Sequence, residues 1–105
     1  IEYLADSRMP KSIKWAKAMA KREQEIYPDF GLRRDEGCFA TSPSDQGGNN
    51  VAIARKHGIE YSVLGEIQFG NLDNTDARSI FEYDERTAKF IGEAIDVFFK
   101  NENMT

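Results

Sequence analysis

The sequence predicts an α+β fold with α/β-like layering: a mixed β-sheet flanked by helices, in the order α-β-β-β-α-β, within a single domain over 1–105. Three observations predict it. Apolar residues recur at helical spacing through the first quarter of the chain. Residues 60–69 alternate at period two, and helical spacing returns after them, ahead of a short apolar run at 94–99.

The first element is a helix from Ser7 to Tyr27. Ser7 is placed to cap it, Pro10 is tolerated in its first turn, and Pro28 stops it. Met9, Ile13, Ala16, Met19, Ala20, Ile26 and Tyr27 share one arc, and Lys11, Lys14, Lys17 and Lys21 share the opposite one. Glu23 falls inside the apolar arc as an anomaly. "CFAT" reads as a short strand, "SPSDQGGNN" as a loop, "VAIAR" as a strand and "KHG" as a tight turn. "IEYSVLGEIQF" is the best strand pattern in the chain, with Tyr61, Val63, Ile67 and Phe69 on one side and Ser62, Leu64, Glu66 and Gln68 on the other. A second helix follows over 74–91, capped by Asn74 or Thr75, with Ala77, Ile80, Phe81, Ala88 and Ile91 on its apolar face and Gly92 near its end. "AIDVFF" then reads as a buried strand.

Composition narrows the function. Of 105 residues, 40% are hydrophobic and 30% charged, a balance that supports a packed core. A net charge of −4 argues against a protein that simply coats nucleic acid. The charge is uneven: residues 1–34 hold eight Lys/Arg against five Asp/Glu, and 59–105 hold four against ten, so the two ends suit different partners. One cysteine, Cys38, allows no internal disulfide and fits a reducing compartment, so a cytoplasmic location is expected. With His57 as the only histidine, no Cys/His zinc site can assemble within one chain, whereas oxygen ligands for a hard cation are plentiful. No apolar run reaches the ~20 residues of a membrane span. The first ten residues lack a signal-peptide layout, and a start at Ile1 fits a fragment or a processed form.

The chemistry concentrates in "GEIQFGN", Gly65–Asn71. Glu66 and Gln68 stand on one face of their strand, just before a Gly-Asn break, where strand ends commonly carry sites. A solvated sheet face is the plain account of such a pair. The segment, with the element order around it, also resembles the PD-(D/E)XK nuclease superfamily, in the E-x-Q variant of some type II restriction endonucleases. The resemblance covers about residues 7–100, though only Gly65–Asn71 is motif-like, and "GEAIDVFF" resembles the strand that follows the second helix of that core. It implies a restriction-endonuclease-like core and magnesium-dependent hydrolysis of DNA phosphodiesters. By the same resemblance, Glu66 would be a metal ligand, Gln68 would take the place of the motif lysine, and Glu23 the place of a helix-borne acid. Gln68 can orient a water but cannot ionise to act as a base.

The sequence departs from the family at its first acid. Asn50 stands there instead, with Asp45 as the nearest substitute metal ligand and Glu60 as a more distant one. Lys11, Lys14, Lys17 and Lys21, with Arg55 and Lys56 at the "RKHG" turn, are the candidate DNA contacts; a solvated helix face is their plain account. A homodimer would supply two sites for two strands. The alternative function is a small non-catalytic interaction module, an inhibitor or an oligomerising subunit. His57 reads as a turn residue, Trp15 and the phenylalanines as core and rim, and Cys38 as a small buried residue.

Overall fold

Residues 2–6 form the centre of the sheet, although Glu2 and Asp6 make them look too polar for it. In the computed structural model, which describes residues 1–28, 31–66 and 85–103, the elements are β1 (Glu2–Asp6), α1 (Pro10–Ile26), β2 (Cys38–Thr41), α2 (Gly48–Lys56), β3 (Leu64–Glu66) and α3 (Glu85–Asn103). The strands lie in the order β2-β1-β3; β1 is parallel to β2 and antiparallel to β3. The expected α+β class, a mixed sheet with helices on it, is therefore present. Among the described residues the order of elements differs, running β-α-β-α-β-α.

All five residues of β1 are buried. Tyr3 and Ala5 point to one face and pack with Ala16, Met19 and Ala20 of α1 and Phe90 and Ala94 of α3 in the main core. Leu4 points to the other face, toward Leu64 and the start of α2 at Gly47. So α1 and α3 cover one face and α2 lies against the other, in three layers.

Helix α1 begins later than Ser7. The Ser7 amide donates to the Thr41 carbonyl at 2.9 Å and so prolongs the β1–β2 ladder. Met9 takes the cap position, with Pro10 in the first turn. "VAIAR" is helical rather than extended: Gly48, Val51 and Ala54 are its buried residues, three apart, and Gly47 (φ 79°) turns the chain into it. "GNN" therefore belongs to this helix and not to the loop. "AIDVFF" is helical too, because Phe90, Ala94 and Phe98 recur every four residues as one buried stripe. Gly92 lies inside α3, exposed. The expected strand over Ile59–Phe69 is seen as Leu64–Glu66. Its continuation through Ile67, Gln68 and Phe69, and the expected helix at 74–84, lie outside the described residues. Among the described residues no helix is long and apolar enough to cross a membrane.

Candidate functional site

Glu66 ends β3 directly opposite Glu2, the first residue of β1, and Leu64 lies opposite Leu4. Residues facing each other across antiparallel strands share a face, with Cβ atoms roughly 5 Å apart. Glu66 is exposed and Glu2 is buried. Two arginines from the α1–β2 loop roof Glu2. Arg33 Nη1 lies 3.4 Å from Oε1, and Arg34 Nε lies 3.1 Å from Oε2. The second contact is an ion pair without hydrogen-bond alignment, so Oε2 is buried with no hydrogen-bond donor.

The loop is built to hold these arginines in place. The Arg33 amide donates to the Ile1 carbonyl at 3.0 Å, and the Tyr3 amide donates to Gly37 O at 2.7 Å. Arg34 sits at φ 56°, a left-handed conformation that costs a branched-free side chain on the order of 1 kcal/mol. Its guanidinium carbon rests 3.7 Å from the centroid of the Phe39 ring. The cluster thus combines two carboxylates and two guanidiniums on the α2-side face, at the amino end of β1.

Of the other expected site residues, Asp45 and Glu60 already have partners. Asp45 follows β2, whose last residue Thr41 pairs with Asp6, and β1 separates that level from Glu2 by roughly 13 Å. Asp45 is occupied in its own loop, where Oδ2 accepts the Ser42 amide at 2.8 Å. Asn50 is the third residue of α2 and is exposed, on a helix rather than on the expected strand "VAIAR" or the turn before it. Glu60 forms an ion pair with Lys11. Gln68 lies outside the described residues.

Glu23 is on the far side of the sheet from Glu66. It is fully buried, and Tyr3 Oη donates to its Oε1 at 2.8 Å, while Oε2 has no partner. It does not reach solvent as a snorkelling glutamate near a helix end would. Desolvation pushes its carboxyl up to about 7, against a smaller opposite pull from the Tyr3 hydrogen bond. Burial, then the adjacent Glu23 charge and hydrogen bond, push the Tyr3 hydroxyl well above its usual value.

The expected DNA-contacting lysines are largely engaged by acids from other segments. Lys11 pairs with Glu60 at 3.2 Å, Lys14 with Glu102 at 2.6 Å, and Lys17 with Asp35 and Glu36 at 3.1 and 3.4 Å. Lys21, Arg55 and Lys56 are exposed, the last two closing α2. His57 caps α2 at its C-terminus, as a turn residue should. Cys38 is buried in the core.

Sequence reasoning missed Glu2, Arg33 and Arg34. Glu2 could be found only by recognising β1, because its alignment with Glu66 is a matter of strand register. Among the described residues, no three His, Cys, Asp or Glu side chains gather into a group that could hold a metal ion. No family model, curated protein or solved structure matches the chain.

Proposed function

We propose that the chain is a magnesium-dependent DNA phosphodiester hydrolase centred on Glu66 and Glu2. The observation that supports this reading is the in-register pair Glu2–Glu66, with Arg33 and Arg34 beside it. Two carboxylates suit magnesium, which binds through one or two protein carboxylates and fills its other positions with phosphate oxygens and water. The donor-less Oε2 of Glu2 and the exposed carboxylate of Glu66 are the oxygens that would hold the ion. Bound there, magnesium would polarise the phosphodiester and lower the pKa of a coordinated water.

The protein's own groups supply the rest. Arg34, steadied on Phe39, and Arg33, about half exposed, present guanidiniums that can donate to the non-bridging oxygens of a phosphate backbone. As they turn toward phosphate they release Glu2, so substrate arrival and the exposure of the buried carboxylate are linked.

A second reading, the non-catalytic interaction module, is favoured by one observation: Glu2 already has two arginine partners, which suffices for a purely structural ion cluster. Plasmid nicking separates the two. Nicking is expected with Mg²⁺ or Mn²⁺, abolished by EDTA and by Glu66→Ala, and unchanged by Asn50→Asp. A wild-type chain that nicks under no metal condition returns the cluster to a structural role.

A further inference from the structure

We propose that Ser12 is the positioning residue that fixes the register of β3, and so sets Glu66 against Glu2; its catalytic importance rests on the function proposed above. Among the described residues, β3 pairs with β1 over three positions, Leu64–Glu66. A one-residue slip in so short a pairing would send Glu66 to the opposite face. The Leu4–Leu64 pair favours the observed register, and the residues just before β3 add a second, more specific constraint.

Ser12 lies in the first turns of α1 and is fully buried. Its hydroxyl donates to the Glu60 carbonyl at 3.0 Å and accepts the Ser62 amide at 2.9 Å. One side chain thus satisfies both backbone groups that flank Tyr61, as a neighbouring strand would. Two weaker contacts bracket it. Lys11 pairs with Glu60 on the exposed side. The Tyr61 ring packs edge-on against Trp15 of α1 and against Phe98 and Phe99 of α3, with centroids 4.9 to 6.2 Å away. The two hydrogen bonds of Ser12 fix the segment along its length, since each needs one donor and one acceptor at a fixed distance. From Ser62 the chain reaches Leu64 in two residues, too few to absorb an offset. The segment is therefore pinned at 60–62, and the pin is transmitted to Glu66.

The test is residue-resolved amide hydrogen exchange on wild type, Ser12→Ala and Ser12→Thr, with metal-dependent nicking measured in parallel. In Ser12→Ala the amides of Ser62 and of β3 should exchange at least tenfold faster, while those of β2 and the interior of α1 keep wild-type protection. Ser12→Thr retains the hydroxyl and should restore β3 protection relative to Ser12→Ala. In nicking, Ser12→Ala should lower kcat with little change in KM, because DNA contacts are kept while Glu66 is misplaced. Unchanged β3 protection in Ser12→Ala, or an equal loss across β2 and α1, overturns the proposal. The exchange result needs no turnover, so a chain that cuts no DNA defeats the functional reading and leaves the register assignment to be judged on exchange alone.

Discussion

At the scale of single residues, the buried charges sort by whether a cation reaches them. Asp6 is fully buried but receives two guanidinium bonds from Arg8, Nε to Oδ1 at 2.9 Å and Nη2 to Oδ2 at 2.8 Å, with the Arg8 amide at 2.8 Å besides. Arg8 holds its carboxyl below the ordinary range, so the pair's contribution is present above that range and is lost as pH falls through the lowered value. Arg8→Ala should lower the urea midpoint, because it removes the cation from the Asp6 carboxylate. Glu23 is the opposite case, with a hydroxyl and no cation bonded to its carboxyl. Its pKa is raised from 4.5 to about 7. The stabilising influence of its protonated form is thus full below pH 4.5 and lost as pH rises through about 7. A shift of that size corresponds to roughly 3 kcal/mol. Glu23→Gln should therefore flatten stability across this window and exceed wild type at pH 8; parallel pH profiles for the two proteins would show that Glu23 does not titrate there.

At the scale of elements, α2 depends on how closely its first turn approaches the β2–α2 loop. A Cβ at Gly48 would strike the Ser42 carbonyl, a backbone atom that cannot swing away. Gly48→Ala should cost about 2 kcal/mol and lower the thermal midpoint accordingly, whereas Ala at exposed Gly92 should be neutral or stabilising by up to ~1 kcal/mol. The elements also show what the sequence could and could not reveal. Helix α1 was legible because its seventeen residues carry a sustained stripe and a proline at each end. β2 was legible from four residues between turn-forming neighbours. β1 was not, because the neutralising arginines of Glu2 and Asp6 come from outside the strand, from 33–34 and from Arg8, and local pattern cannot include them. "VAIAR" and "AIDVFF" fit either period as isolated apolar runs, and their neighbours in space settle the matter. The exposed strand position of Glu66 was legible from Gly65–Asn71. Its partner was not, since register is a property of two strands.

At the scale of the whole molecule, the uneven charge serves internal attachment. The lysines of α1 reach acids in the α1–β2 loop, in the segment before β3 and at the end of α3. Exposed pairs contribute little one by one, so converting Lys11, Lys14 and Lys17 together to Glu should lower the thermal midpoint modestly at low salt. The deficit should shrink in 1 M salt as screening shortens to about 3 Å; a deficit independent of salt would mean that the lysine stems act through packing. The three-residue pairing of β3 with β1 also has a temporal consequence. β1 meets β2 across a single helix, but meets β3 only after two helices and a strand have intervened. Contacts close in sequence lose less chain entropy on closure and form sooner. The β1–α1–β2 unit should thus assemble as the folding nucleus with the Glu2 carboxylate already in place, and Glu66 should dock onto it late. Substitutions in β1 and in the core face of α1 would then slow folding, while Ser12→Ala, which removes only the contacts to 60–62, and substitutions in β3 would chiefly hasten unfolding.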